Sequence, residues 1–102
     1  GTQEGEFASL LAHSGNPLDP ATMNANLDQN WAHMQSGANG LMYGRGLAAG
    51  PLTGLYVAIT ATDSADELMA ASAAMFADPV IQQRMAEQNT QLVARQMLRL
   101  LA

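Results

Sequence analysis

"DPVIQQRMAEQNTQLVARQMLRLLA", residues 78–102, is the stretch on which the reading of this chain turns. Asp78-Pro79 is a helix start: an aspartate that can cap the first free N–H groups, then a proline, whose missing N–H costs nothing in the first turn. From Pro79 to about Leu101 the spacing predicts one long helix. Ala86, Thr90, Val93, Met97 and Leu100 repeat at alternating intervals of four and three, the pattern of a short heptad seam. On the other side Arg84, Gln88, Gln91, Arg95 and Arg99 form a polar spine, with arginines at the end where a helix dipole favours cations. On this reading Val93, Met97 and Leu100, flanked by Arg84, Arg95 and Arg99, are the partner-binding surface.

The remaining segments read the same way. "EFASLLAH" puts Phe7, Leu10 and Leu11 at i, i+3 and i+4, which predicts a first helix ended by Ser14-Gly15. Asp19-Pro20 repeats the cap-plus-proline device, and Met23, Leu27, Trp31 and Met34 follow as one apolar stripe. Ser64 and Glu67 have the S-x-x-E spacing of a capping box at the head of "LMAASAAMF". The expected fold is therefore all-α: a small bundle of about four to five short helices with a longer C-terminal helix. It forms one helical domain over residues 1–102, or a segment of a longer protein.

"SGANGLMYGRGLAAGPLTG", residues 36–54, holds six of the nine glycines and Arg45, the first cation in the chain. "GRGLAA" matches G-x-G-x-x-A, but a dinucleotide site needs a strand before it and a helix directly after, and Pro51 interrupts the following segment. Leu41–Ala61 is long enough for a membrane span, yet Arg45 lies inside it. The expectation is that Gly44 and Gly46 serve a hinge or a close helix crossing. Arg45 is expected to pair with a carboxylate, the alternative being an anion held by the glycine turn. "GLYVAITAT" carries both strand-forming residues and a helical spacing, and is read as helix.

Composition narrows the function. The formal net charge is −5, lysine is absent, and nucleic-acid binding lacks its basic footprint. With no cysteine there is no disulfide, thiol catalysis or thiolate metal site. His13 reads as the end of the first helix and His33 as exposed, with no spacing that would make either a metal ligand. Asp63, Asp66 and Glu67 are explained by helix capping. Ser9, Ser14 and Ser36 stand in no catalytic context.

These features predict a non-enzymatic interaction or assembly module acting through helices, on a protein partner or on itself, without a cofactor. The composition suits an exported component of a bacterial secretion or surface machine better than a cytoplasmic protein. Two further readings compete: a membrane-active protein using residues 40–61, and a small anion-binding protein or enzyme using the Arg45 turn.

Overall fold

The computed structural model describes residues 5–46 and 53–101, and it overturns the all-α expectation. The chain runs β1 (Phe7–Ser14), α1 (Pro20–Met34), β2 (Gly40–Arg45), β3 (Tyr56–Thr62), α2 (Ala65–Ala77), α3 (Pro79–Glu87) and β4 (Gln91–Arg99). The four strands form one sheet in the order β2-β3-β1-β4, with every neighbouring pair antiparallel. This is the split β-α-β arrangement of ferredoxin-like domains, with the second helix divided in two at Asp78.

The helix starts hold. Asp19 accepts from the Thr22 amide (2.7 Å), Ser64 from Glu67 (3.2 Å) and Asp78 from Val80 (2.9 Å). What fails is the extent of the last helix, which stops at Glu87. Asn89 takes the left-handed conformation (φ 54°). The Thr90 amide then reaches back to the Met85 carbonyl (2.8 Å), and the Asn89 amide to Ala86 (3.3 Å). That pair of bonds is a Schellman ending, with asparagine where glycine is commoner. The supposed heptad seam is therefore cut in two: Ala86 stays on the helix, while Val93 and Met97 lie on a strand and Leu100 just past its end.

β1 and β4 are strands against their local pattern because each completes the other. β1 is the inner strand, paired with β3 on one side and β4 on the other. Phe7, Ser9, Leu11 and His13 face the helices, while Ala8, Leu10 and Ala12 face away. Apolar residues on both faces imitate a helical spacing and hide the period of two. "GLYVAITAT" is likewise resolved as strand β3 from Tyr56 onward, so the helical reading of this segment is corrected too.

The main core lies among the helices, with Met34, Ala38, Leu68, Ala71, Met75 and Ile81 buried together and Trp31 packed against them. Gly37 allows α1 to return close to α2: a Cβ there would collide with the Glu67 carbonyl and the Leu68 amide. The helix crossing expected at Gly44 and Gly46 does not hold. Gly44 sits in β2 with open space where a side chain would be, and Gly46 bridges to Thr53 at the base of the β2–β3 hairpin. No described helices cross there. Residues 47–52, including the "LAAGP" part of the glycine stretch, lie outside the described residues. Among the described residues no helix is long and apolar enough to cross a membrane.

Asn89 gives a direct check on the α3–β4 boundary. Asn89→Gly should leave stability unchanged or raise it, by up to about 1 kcal/mol. Asn89→Val, with a branched side chain at positive φ, should lower it by about 1–2 kcal/mol, as measured by urea unfolding. In a continuous helix the order of the two would be reversed.

Candidate functional site

The helix layer and the sheet do not close on each other everywhere. Towards the end of the sheet where β1, β2 and β3 carry His13, Tyr43 and Tyr56, the two layers enclose a cavity. It offers about 60 Å³ to the centre of a water-sized sphere. Small side chains leave it open: Ser9 on β1 lies opposite Thr60 on β3, and Leu11 lies opposite Ala58. Met23, Asn26 and Asn30 of α1, Met75 and Phe76 of α2, and Arg84 and Met85 of α3 complete it.

Sheet register assembles the aromatic end. His13 pairs with Tyr56 across β1 and β3, and their rings stack with centroids 5.6 Å apart. Tyr43 meets His13 edge-on at 6.4 Å. A register shift between Ala12 and His13 pairs Ala12 with Ala94 and His13 with Leu92, leaving Val93 as the extra residue of a bulge. Bulges re-aim neighbouring side chains. Arg45 covers the far side of Tyr56, with its guanidinium carbon 5.4 Å from the ring centroid. Its expected carboxylate is absent among the described residues; a cation–π contact takes that place.

Polar groups converge on the same space. The Tyr43 hydroxyl accepts from the Asn30 amide group, and the Tyr56 hydroxyl accepts from the Leu18 backbone N–H (3.1 Å). Each phenol therefore keeps its own proton to donate. Asn26 and Gln88 form a reciprocal amide pair (2.9 and 3.3 Å) that ties α1 to the end of α3. Arg84 donates to Gln29 Oε1 (2.7 Å). Arg95 donates to Ser72 Oγ (2.9 Å) and to the Met69 sulfur (3.1 Å). Among the described residues, four buried side-chain polar atoms have no partner: His13 Nδ1, Asn30 Oδ1, Arg84 Nε and Arg95 Nε. All four belong to residues that line this one cavity. Burial lowers the pKa of His13, Arg84 and Arg95 and raises that of Tyr43, which keeps the phenol protonated.

The sequence-derived site residues separate into three places. Arg84 and Arg95, both assigned to one polar spine, meet at the cavity from a helix and a strand. Val93, Met97, Leu100 and Arg99 belong to the exposed edge around β4. There Arg99 stands over the Phe7 ring at 5.1 Å and lies 3.8 Å from Glu6. Gly44, Arg45 and Gly46 mark the end of β2. His33, expected in solvent, is half-buried and bonds Asp78 (2.8 Å), which its hydrogen bond holds below the usual aspartate pKa. No group of His and carboxylates suited to a metal ion occurs among the described residues.

Asn26, Asn30, His13, Tyr43 and Tyr56 had no signal in spacing. Asn26 and Asn30, four apart on α1 and each only 7 % exposed, are the nearest to a readable sign, since a buried asparagine demands a partner. Comparison with protein-family profiles, with curated proteins and with solved structures finds no match.

His13 makes stability depend on pH. Its folded pKa lies below the ordinary 6.5, so the unfolded chain binds the extra proton more readily. Stability should therefore be full above about pH 6.5 and fall as pH drops from there through the lower folded value. The Asp78 contribution is lost separately, below the ordinary 3.8 of an aspartate. Melting temperature measured from pH 7.5 to 5 should decline in the parent protein and flatten in His13→Gln. An imidazole NMR titration of His13 with its midpoint at or above 6.5 would contradict the burial.

Proposed function

We propose that this chain is a small-molecule-binding domain that holds a compact ligand between its sheet and its helices. The observation that carries the reading is the convergence of unpaired polar atoms: the four buried side-chain polar atoms without a partner among the described residues all belong to residues around one cavity. Native interiors seldom leave such groups unsatisfied, because each costs about 1–3 kcal/mol. Apolar walls with a few convergent polar groups are the usual make-up of a ligand site. The reading is of binding, without a catalytic step. It replaces the Arg45 turn with a different anchor, since Arg45 is engaged by Tyr56.

Binding of benzamide, a neutral one-ring probe, tests the cavity. Amide NMR shifts should cluster at β1, β3 and α1, and Ala58→Leu, which fills the space, should suppress them while raising the melting temperature. Shifts scattered over the surface and indifferent to Ala58→Leu would refute the proposal.

A second reading, self-association, has its own support. β4 is an edge strand whose Leu92, Val93, Met97 and Leu98 are exposed, with Leu100 and Leu101 after it. The sheet face away from the helices continues that surface through Leu10, Met42 and Ile59. Ser14, Gln91 and Gln96 are the polar members of its strands, which place no charged side chain there, and no described helix covers it. A second copy of the chain suits it: copies with a net charge of −5 repel elsewhere, and an uncharged apolar face lets them meet. Sedimentation should then give a mass of twice 10.7 kDa at micromolar concentration, and Leu98→Asp should return it to the monomer with helices intact. A monomer at every concentration removes this reading.

A further inference from the structure

The cavity has a sign. Two of the four arginines line it, Arg84 and Arg95, and among the described residues no aspartate or glutamate does. The chain holds nine acidic residues, so a carboxylate partner was available in the composition. The ion pairs among the described residues are nevertheless His33 with Asp78 and Arg99 with Glu6, both away from the cavity. Each inward guanidinium is held by neutral groups alone, a glutamine oxygen for Arg84, a serine hydroxyl and a methionine sulfur for Arg95, and each keeps a buried Nε without a partner. A partly buried cation without a counter-charge is costly, and an incoming anion removes that cost. The remaining free donors point the same way, since the Tyr43 and Tyr56 hydroxyls both accept from protein groups and have protons left to give.

Size and walls limit what the anion is attached to. A cavity that leaves about 60 Å³ to the centres of water-sized spheres has room for a compact organic group and not for an extended one. A single ring is a group of that kind. The stacked His13–Tyr56 pair, Phe76 and the thioethers of Met23, Met75 and Met85 are surfaces to which aromatic rings are attracted. A second cleft adjoins the cavity. An open cleft of about 400 Å³ between α2 and β4 shares Leu11, Phe76, Leu92 and Arg95 with the cavity. Arg95 lies at the junction, bridging from β4 to Met69 and Ser72 of α2.

We propose that the ligand is a small aromatic monocarboxylate, its charge met by Arg84 and its ring held among the aromatic and methionine side chains, admitted past Arg95 between α2 and β4. The proposal rests on the cavity-binding reading and adds the charge and the ring to it.

Benzoate and benzamide have nearly the same shape and differ in charge, so the pair separates the two ideas. Titrated by NMR against the full chain at pH 7.5 and low salt, benzoate should bind at least about tenfold more tightly than benzamide, a difference of 1.4 kcal/mol. Arg84→Gln should abolish the preference for benzoate over benzamide, while Arg84→Lys should keep most of it. Benzamide binding as tightly as benzoate in the parent protein would overturn the charge assignment and leave the cavity reading standing. Binding of neither would overturn both. The parent comparison needs no variant, so a poorly folding Arg84→Gln does not protect the proposal.

Discussion

The structure depends on β1 being the inner strand of the sheet. Each of its two edges is occupied, by β3 and by β4, and each of its faces has a different neighbour. That double demand explains its composition. Ser9 and Ala12 are both 2 % exposed, one on each face, and both are small. On the helix side this smallness, shared with Ala58 and Thr60, stops the layers from meeting and leaves the cavity. On the other side it produces a low apolar floor ringed by Leu10, Ile59 and Met42. Larger residues at Ser9 or Ala58 would yield the same topology with a filled interior.

Charge follows the same division. An acid-rich chain places four of its nine carboxylates at helix starts, where Asp19, Asp66, Glu67 and Asp78 favour the free N–H groups of α1, α2 and α3. The other described carboxylates do not line the cavity either, so the arginines that reach it are balanced only by neutral dipoles. Asp78 is the most heavily used of the four carboxylates. Its backbone N–H ends α2, and its side chain caps α3 and bonds His33 of α1, so three helices meet at one residue. The helix layer is thereby tied together as a unit on the side away from β4.

The parts of the fold that were legible in the sequence are those written locally. Asp19-Pro20, Ser64-x-x-Glu67 and Asp78-Pro79 each start a helix within hydrogen-bond reach of their own side chains, and all three were read correctly. The strands were not written locally. "QLVARQMLR" is made largely of good helix formers, and β1 paired with β4 is what makes it a strand, an instance of tertiary context overriding propensity. The one local sign against a long helix was Asn89, an accepted left-handed ending, and a heptad count passes over it. The site was less legible still. Arg84 and Arg95 were singled out, but as one face of one helix. His13, Asn30, Tyr43 and Tyr56 come from four elements, and only sheet register and the packing of α1 bring them together.

The pairing of β1 with β4 also has a consequence for how the chain acquires its shape. During synthesis β1 emerges first, and one of its edges must wait until residues 91–99 have been made. In the interval a strand with apolar groups on both faces can rest only on β3, through a pairing that itself spans more than forty residues. Folding of this kind is dominated by distant contacts, and such chains are slow to fold and pass through states with unpaired strand edges. The same late partner carries Arg95 to the mouth of the cavity. The last wall of the site is therefore raised when the sheet is finished, and a nascent chain has nowhere to hold a ligand until then.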